Sequence, residues 1–265
     1  MTTVKPGDRV FGIGLAFLTG NRDHAGHQEY TILEANAVFP LPDQFNFTQG
    51  AALPTAVGMT AMILFDGLGL SQDPAANAGE SILIWGGASS LGAMAIQFAH
   101  RFGLTVYATA SERHHGRLRE LGASAVVDYN LPTAVDDLVS AADHDGTPIS
   151  LAIDVISAQE TLASVIQVLS KSPATTKKLV VTSPPSGEVE LPGEIEAKFV
   201  NGAEIGGRRK DLLTWLSQDV LPKWLESAVL VPQAQRVIDG GVGKIQDGLD
   251  ALKKGVSAEK VVVKF

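Results

Sequence analysis

Residues 81–92 read SILIWGGASSLG, and the fold follows from them. Ile82, Leu83, Ile84 and Trp85 form an apolar, β-forming run that ends in a turn of small residues. Leu91, Ala95, Ile96 and Phe98 then follow at helical spacing. The pattern is strand, tight turn, helix. Such a junction gathers unpaired backbone N–H groups and the positive end of a helix dipole at one spot, which suits a phosphate or pyrophosphate. The dinucleotide fingerprint G-x-G-x-x-G asks for three glycines, and here Gly87, Ser89 and Gly92 take the three places. A serine therefore replaces the middle glycine. Taken alone, the segment also fits a buried strand-to-helix turn of an unrelated α/β protein.

The chain has 265 residues, enough for one large or two modest domains with a proper core. Hydrophobic residues make up 45% and charged residues 19%, the balance of a globular protein rather than a disordered one. A net charge of −8 without a basic block argues against nucleic acid as a partner. The clearest basic cluster, Arg208, Arg209 and Lys210, reads as a solvated helix start. Without cysteine, the chain has neither disulfides nor thiolate zinc ligands, which fits a reducing compartment. The opening MTTVKPGDRV lacks the basic-then-apolar pattern of a signal peptide, so a cytoplasmic protein is expected. Residues 44–65 and 81–99 are uncharged over a membrane-like length. Pro54, Gly58, Gly86 and Gly87 break them, and they read as buried elements rather than spans, so no membrane association is expected.

Along the chain, short strands are expected at 8–14, 29–32 and 37–39, too few to close a β-domain. Residues 48–70 read as an apolar helical region with Thr48 as N-cap, a bend or restart at Pro54, and stop signals at Gly67 and Gly69. The linker SQDPAANAG, residues 71–79, marks a domain boundary. Strands at 82–85, 105–108, 125–128, 151–155, 178–182 and, more weakly, 198–205 then alternate with helices at 91–102, 114–121, 134–141 and 160–169. That rhythm predicts a doubly wound, Rossmann-type parallel sheet in an α/β fold. SPPSG at 183–187 reads as a loop. The tail predicts a helix at 212–228 interrupted by Pro222, a short strand or loop at 237–238, a helix at 244–253 and a final strand at 260–265.

The order of these elements resembles the medium-chain dehydrogenase/reductase superfamily. KPGDRVFG at 5–12, HQEYTILEANAVFPLPDQFNFTQGAALPTAVGMTA at 27–61, the glycine turn, and KKGVSAEK at 253–260 carry the likeness in the right order. WGGASSLG at 85–92, ATASERHH at 108–115 and KFVNG at 198–202 resemble its zinc-independent quinone-oxidoreductase-like branch, and within it fungal enoyl-reductase-like proteins that assist polyketide synthases. The resemblance implies a Rossmann domain at 71–205 and a partial GroES-like catalytic domain, with linking helices, from 1–70 and 206–265. Family members carry roughly sixty further residues ahead of the KPGDRV segment, so a shortened chain, whether fragment or natural short form, is expected.

The resemblance also implies a cofactor and a reaction. At the end of the second Rossmann strand, where an acidic residue would select NAD, the family register places Thr109. A small neutral residue there, followed by Ser111, Arg113 and His114 as donors of hydrogen bonds and charge, favours NADPH, with Glu112 as counter-evidence. Gly87, Ser89, Ser90, Leu91 and Gly92 would hold the pyrophosphate. Tyr129 would lie beside the adenosine ribose or its phosphate, or else is a surface aromatic closing a strand. Thr182 would lie near the nicotinamide, and Asn201 and Lys260 would be later contacts. The reaction is hydride transfer to a conjugated C=C or a quinone, on a small-molecule substrate, with a polyketide synthase as a candidate partner. No residue carries a catalytic role in this reading. His24, His27, His100, His114, His115 and His144 form no helical metal pair, so no metal is expected. His24 and His27 either face the cleft or sit in a solvated loop, and Asp154 reads as structural. The alternative function is a dinucleotide-binding scaffold or sensor without turnover.

Overall fold

A computed structural model describes residues 4–184 and 191–265. The chain divides into two compact units, Met1–Met59 with Gly202–Phe265, and Thr60–Asn201. In the first, β1 (Val10–Gly12) pairs antiparallel with β2 (Val38–Pro40). The expected strand at 29–32 is absent. Tyr30 is 88% and Ile32 57% exposed, so the stretch has no apolar face to bury. The loop instead folds onto one carbonyl, that of Asp23, which accepts from Ile32 N, Gln28 Nε2 and Thr31 Oγ1.

The apolar helical region begins two residues earlier than Thr48 suggests. Asn46 caps Phe47–Ala51, its Oδ1 accepting from Gln49 N at 2.8 Å, while Gln49 Oε1 accepts from Asn46 N at 2.9 Å. This is a reciprocal capping box, and the Thr48 hydroxyl only donates to Asn46 Oδ1. Pro54 restarts the helix as Pro54–Ala61, which continues as a π-helical turn over Met62–Gly67. By length and composition Phe47–Gly67 would cross a membrane, but 72% of its apolar window is buried inside the protein.

The nucleotide-type unit takes in residues 60–70, ahead of the boundary expected at 71. Phe65 meets Phe102 edge-on at 4.9 Å, Lys178 Nζ donates to Leu68 O at 2.9 Å, and Lys198 Nζ donates to Asp66 O at 2.9 Å. A Cβ on Gly67 would stand 2.8 Å from Val180, so this helix end packs directly on the sheet. At the other side the division falls at 201/202 rather than 205/206.

Six parallel strands form that sheet. They are β3 (Ser81–Trp85), β4 (Thr105–Thr109), β5 (Ala125–Val127), β6 (Leu151–Asp154), β7 (Lys177–Val181) and β8 (Ile195–Phe199), in the order β5-β4-β3-β6-β7-β8. β3 is buried at all five positions, as a central strand covered on both faces must be. Helices Ser90–Arg101, His115–Glu120, Ala134–Asp145 and Gln159–Lys171 alternate with the strands. Leu83, Trp85, Tyr107, Val165, Leu169 and Leu179 share one core cluster. The chain winds outward from β3 through β4 and β5, then returns to β6 on the other side of β3. This reversal opens a crevice at the carboxyl ends of β3 and β6, the place where such sheets bind ligands.

The sixth strand lies at 195–199 rather than 198–205. Ile195 is its inward-facing residue, 6% exposed, and the pairing runs from Lys177 opposite Ile195 to Val181 opposite Phe199. Beyond it, Gly202–Gly206 turns as a short 3-10 helix. Of the loop expected at 183–187, residues 185–187 lie outside the described residues.

The tail of the first unit is helical over Lys210–Trp215, widens to a π turn over Leu216–Val220, and resumes as Leu221–Glu226. The wide turn absorbs Pro222, which has no N–H to donate. Then β9 (Ala234–Asp239) and β10 (Glu259–Lys264) pair in parallel across helix Ile245–Lys253, a longer β9 than the expected 237–238.

Tyr107, fully buried in β4, shares its hydroxyl with Thr147 Oγ1 at 2.6 Å and Asp145 Oδ2 at 3.0 Å. Burial is the main cause that pushes its phenol up to about 12. Tyr107→Phe is expected to cost about 1 kcal/mol in urea unfolding at neutral pH. Because the folded pKa is raised, the linked stability is complete below the unfolded value near ~10 and is lost as pH rises toward 12. The Phe variant should therefore lose less stability than the parent over that alkaline window.

Candidate functional site

The turn after β3 is built on backbone contacts. Gly86 takes φ +87°, a conformation that excludes ordinary side chains, and a Cβ there would meet Ile156 and Val155 at 2.9 Å. Gly86 N donates to Thr109 Oγ1 at 3.0 Å, and Gly87 N donates to Thr109 O at 2.8 Å. Ser89 caps the following twelve-residue helix, its Oγ accepting from Gly92 N at 3.0 Å. A Cβ on Gly92 would stand 2.4 Å from Gly86 O and 2.8 Å from Gly87 Cα, so backbone lies on backbone. The left-handed glycine of the turn is thus Gly86, one residue before the first fingerprint glycine read from sequence. Gly87 serves packing, with Leu118, Ala108 and Ile96 at 3.0–3.1 Å from a Cβ built there.

Ser90 and Leu91 occupy the first two helical positions, where N–H groups have no acceptor within the helix and the dipole is positive. The Ser90 Oγ is enclosed and has no hydrogen-bond partner among the described residues. An orphaned buried hydroxyl beside a helix N-terminus fits an anionic group that accepts from it.

Thr109 is 0% exposed, and its hydroxyl and carbonyl both accept from the glycine turn, so it acts as the clamp of that turn. The polar surface lies just beyond it. Ser111 Oγ and Tyr129 Oη are 3.2 Å apart, with Tyr129 46% exposed. Arg113 Nε donates to His114 Nε2 at 3.2 Å, and His115 Nε2 lies 2.8 Å from Ala110 O. Burial, followed by the charges of Arg113, Arg117 and His115, pushes the His114 imidazole below its usual pKa. In this arrangement His114 Nε2 is the acceptor of the Arg113 Nε–H. Asp128 stands opposite in sign, its carboxyl held below the usual range mainly by the Asn130 N–H.

At the carboxyl ends of β6 and β7 a buried network fixes the crevice wall. Asp154, 0% exposed, accepts from Ile156 N at 3.0 Å, Ser157 N at 2.9 Å and Thr161 Oγ1 at 2.7 Å. Its carboxyl is pushed up by burial. Ser157 holds φ +57°, and its Oγ donates to Asp154 O and accepts from Thr182 N at 3.0 Å. Thr182 is thereby tied to the wall. Asn201 ends this unit and is exposed. Lys260 lies in β10 of the other unit, where burial lowers its ammonium pKa.

Sequence reading did not single out two features. Thr60, in the nucleotide-type unit, is 0% exposed, and its hydroxyl has no partner among the described residues. It lies inside the LPTAVGMTA stretch, and only its burial marks it out. The second feature is a cavity of about 280 Å³ in the other unit, walled by Ile13, Phe17, Pro54, Met59 and Ile205, with Thr55 the polar side chain. His24 is half-buried near it. The His24 carbonyl would stand 2.8 Å from a Cβ on the cavity residue Gly14, and His24 Nδ1 is enclosed without a partner. His27 is exposed. Among the described residues no group of three or more His, Cys, Asp or Glu assembles.

Residues 90–183 match the family described as zinc-binding dehydrogenase. The chain is 34% identical over 269 residues to the trans-enoyl reductase himH of Aspergillus japonicus, covering 100% of this chain and 76% of that protein. It is also 34% identical over 276 residues to the trans-enoyl reductase tndF of Aspergillus flavipes, covering 99% and 77%. Among solved structures, the CurK enoyl reductase superimposes with a TM-score of 0.68 at 19% identity, over 88% of this chain and 67% of that one. A quinone oxidoreductase of Pseudomonas syringae superimposes with a TM-score of 0.66 at 18% identity, over 87% and 69%. At those identities the structures speak for the fold.

The contact of Gly92 with Gly86 can be tested directly. Gly92→Ala forces two backbone segments apart and is expected to cost about 1–3 kcal/mol in urea unfolding. It should also weaken dinucleotide binding at least about tenfold, equivalent to ~1.4 kcal/mol. Gly116→Ala, where a Cβ meets nothing within 4 Å inside the helix His115–Glu120, should instead keep or raise stability by up to about 1 kcal/mol and leave dinucleotide binding unchanged.

Proposed function

Since the chain belongs to the medium-chain dehydrogenase/reductase superfamily, in its enoyl-reductase-like branch, and is an oxidoreductase, we propose that it transfers a hydride from NADPH to a C=C bond conjugated with a carbonyl, or to a quinone, without zinc. The observation that carries the cofactor reading is the group beyond β4: the paired Ser111 and Tyr129 hydroxyls with Arg113 two residues on, and a neutral residue, Thr109, at the strand end. A carboxylate at that strand end would bind ribose hydroxyls and repel a 2′-phosphate, whereas hydroxyls and a guanidinium accept one.

Each part of the chain has its own task. The Ser90 and Leu91 N–H groups and the helix dipole hold the pyrophosphate, and the Thr109 clamp keeps the turn in shape for it. Ser111, Arg113 and Tyr129 hold the adenosine 2′-phosphate. The network of Asp154, Ser157, Thr161 and Thr182 keeps the crevice wall rigid. When bound, NADPH supplies the hydride. The acceptor reading rests on the names of the relatives, and the uncharged cavity of the other unit suits an enone better than a charged substrate. The name trans-enoyl reductase of these relatives supports an enzyme that acts in trans, and a cytoplasmic location and service to a polyketide synthase belong to the same proposal.

A second reading, a dinucleotide-binding sensor without turnover, is favoured by one observation: among the described residues no ionisable side chain lines the cavity. Fluorescence titration with NADPH and NADH, followed by the absorbance of the reduced nicotinamide in the presence of an enone or a quinone, separates the two. Binding with oxidation supports the reductase, and binding without oxidation by any acceptor supports the sensor. If neither nucleotide binds, both readings fall.

Arg113→Ala is expected to weaken NADPH at least about tenfold, a loss of ~1.4 kcal/mol, while leaving NADH nearly unchanged. His114 offers a reading of the same subsite by pH. Its imidazole is held below its usual pKa, so it is neutral at pH 7, and a phosphate dianion placed beside it would raise that pKa. NADPH binding would then take up a proton, and NADPH affinity should rise as pH falls through the bound-state pKa, with no such rise for NADH. Proton NMR titration of His114 should show an upward shift with NADPH alone. An equal shift with both nucleotides would move the phosphate away from this cluster.

A further inference from the structure

The cavity in the Met1–Met59 and Gly202–Phe265 unit has a wall that depends on one missing methyl group. Met59, half-buried on the helix Pro54–Ala61, lies over Gly202 so closely that a Cβ on residue 202 would stand 2.4 Å from the Met59 Sδ. Both residues line the cavity. On the same helix, Gly58 brings the backbone against Ile13, whose Cδ1 would be 3.1 Å from a Cβ there, and Ile205 at 3.5 Å. Ile205 is 2% exposed and fixed, whereas a methionine has three rotatable bonds and a soft thioether. Met59 is therefore the adjustable wall, and the bare Gly202 decides where it rests.

The chemistry of the lining limits the occupant. The volume of about 280 Å³ is at the small end of ligand sites, enough for part of a substrate. Among the described residues none that lines the cavity is charged, so a carboxylate or ammonium placed inside would lose its hydration without a partner. Thr55, exposed at the cavity, offers the one side-chain hydroxyl.

We propose that this cavity receives a short, uncharged, unbranched aliphatic segment of the acceptor, and that Met59 resting on Gly202 sets its width and so the enzyme's choice between linear and branched substrates. The identity of the occupant as part of a reducible acceptor rests on the reductase reading above. The width argument rests on the packing of Met59 and Gly202.

Two variants move the wall in opposite directions. Met59→Ala removes it, and Gly202→Ala pushes the thioether off its seat toward the open space of the cavity. Each is measured on the full chain, after its melting temperature shows that it folds. Binding is read by competition and thermal shift with linear methyl ketones of graded length, a branched isomer, and the fatty carboxylate of matching length. These saturated probes cannot be reduced at a C=C. Turnover is read as the ratio of kcat/KM for a linear enone to that for its branched isomer.

The parent is expected to bind linear ketones and reject the carboxylate. Met59→Ala should shift the linear-to-branched ratio toward the branched probe about tenfold, and Gly202→Ala should weaken the longer linear ketones by a similar factor. The proposal is overturned if both folded variants keep the parent's ratio, or if the carboxylate binds as well as the ketone. Ketone binding with the expected variant pattern but no enone reduction would keep the subsite and remove the reductase reading. Enone reduction with unchanged ratios would do the reverse.

Discussion

Gly92 sits so close to the Gly86 carbonyl that even a methyl group would not fit between them. The helix Ser90–Arg101 can start directly at the end of β3 only because this approach is bare backbone on bare backbone. With the helix start there, the Ser90 and Leu91 N–H groups and the positive end of the dipole lie at the switch point of the sheet. Ser89 fits this arrangement without weakening it. In the fingerprint a glycine at that place lets a ligand approach, whereas here the serine hydroxyl satisfies Gly92 N and fixes the helix start. The turn exchanges some openness for rigidity. Thr109 completes it from the neighbouring strand, so an apparent specificity residue is also a structural one.

How far the sequence was legible followed from how many physical signals coincided at each element. β3 was plain, because Ile82, Leu83, Ile84 and Trp85 are all buried and both ends carry turn residues. β8 is hard to place from sequence because it buries Ile195 and exposes the four residues after it, so hydrophobicity points instead to the apolar residues that follow. Residues 29–32 have β-forming side chains but no surface to pack on, and propensity without burial does not make a strand. The cap at Asn46 was readable in principle, since Asn46 and Gln49 have capping-box spacing, but Thr48 is as good a cap residue by type. Adjacent glycines at 86 and 87 satisfy the turn equally on paper, and only the backbone angle separates them.

The candidate site divides in the same way. The residues near Thr109 were legible as a group because they are contiguous in sequence, and Tyr129 joins them through the pairing of β4 with β5. Their roles were less legible. His114 looks like a cation from its type, yet burial first, and then the charges beside it, lower its pKa, and its Nε2 accepts from Arg113. Glu112 and Asp128 keep the local charge from being simply positive, so selectivity for a phosphate depends on direction: donors must converge on one point while the carboxylates point elsewhere. Asp128 satisfies part of that condition, because its Oδ1 is occupied by the Asn130 backbone and side-chain N–H groups.

The two units also differ in how they satisfy their polar groups. In the Thr60–Asn201 unit the Asp154 network at the crevice is paired, whereas Ser90, at the start of the helix after the glycine turn, keeps a hydroxyl that no described residue meets. A buried hydroxyl without a partner costs about 1–3 kcal/mol, and a site that binds a polar cofactor recovers that cost on binding. The cavity of the other unit has the opposite character. Its walls are apolar and glycine-rich, so its selectivity rests on shape, and one flexible methionine seated on a glycine is enough to tune it. Hydride chemistry suits such a division, because the reacting group comes with the cofactor and the acceptor site has to hold a neutral molecule and keep water away.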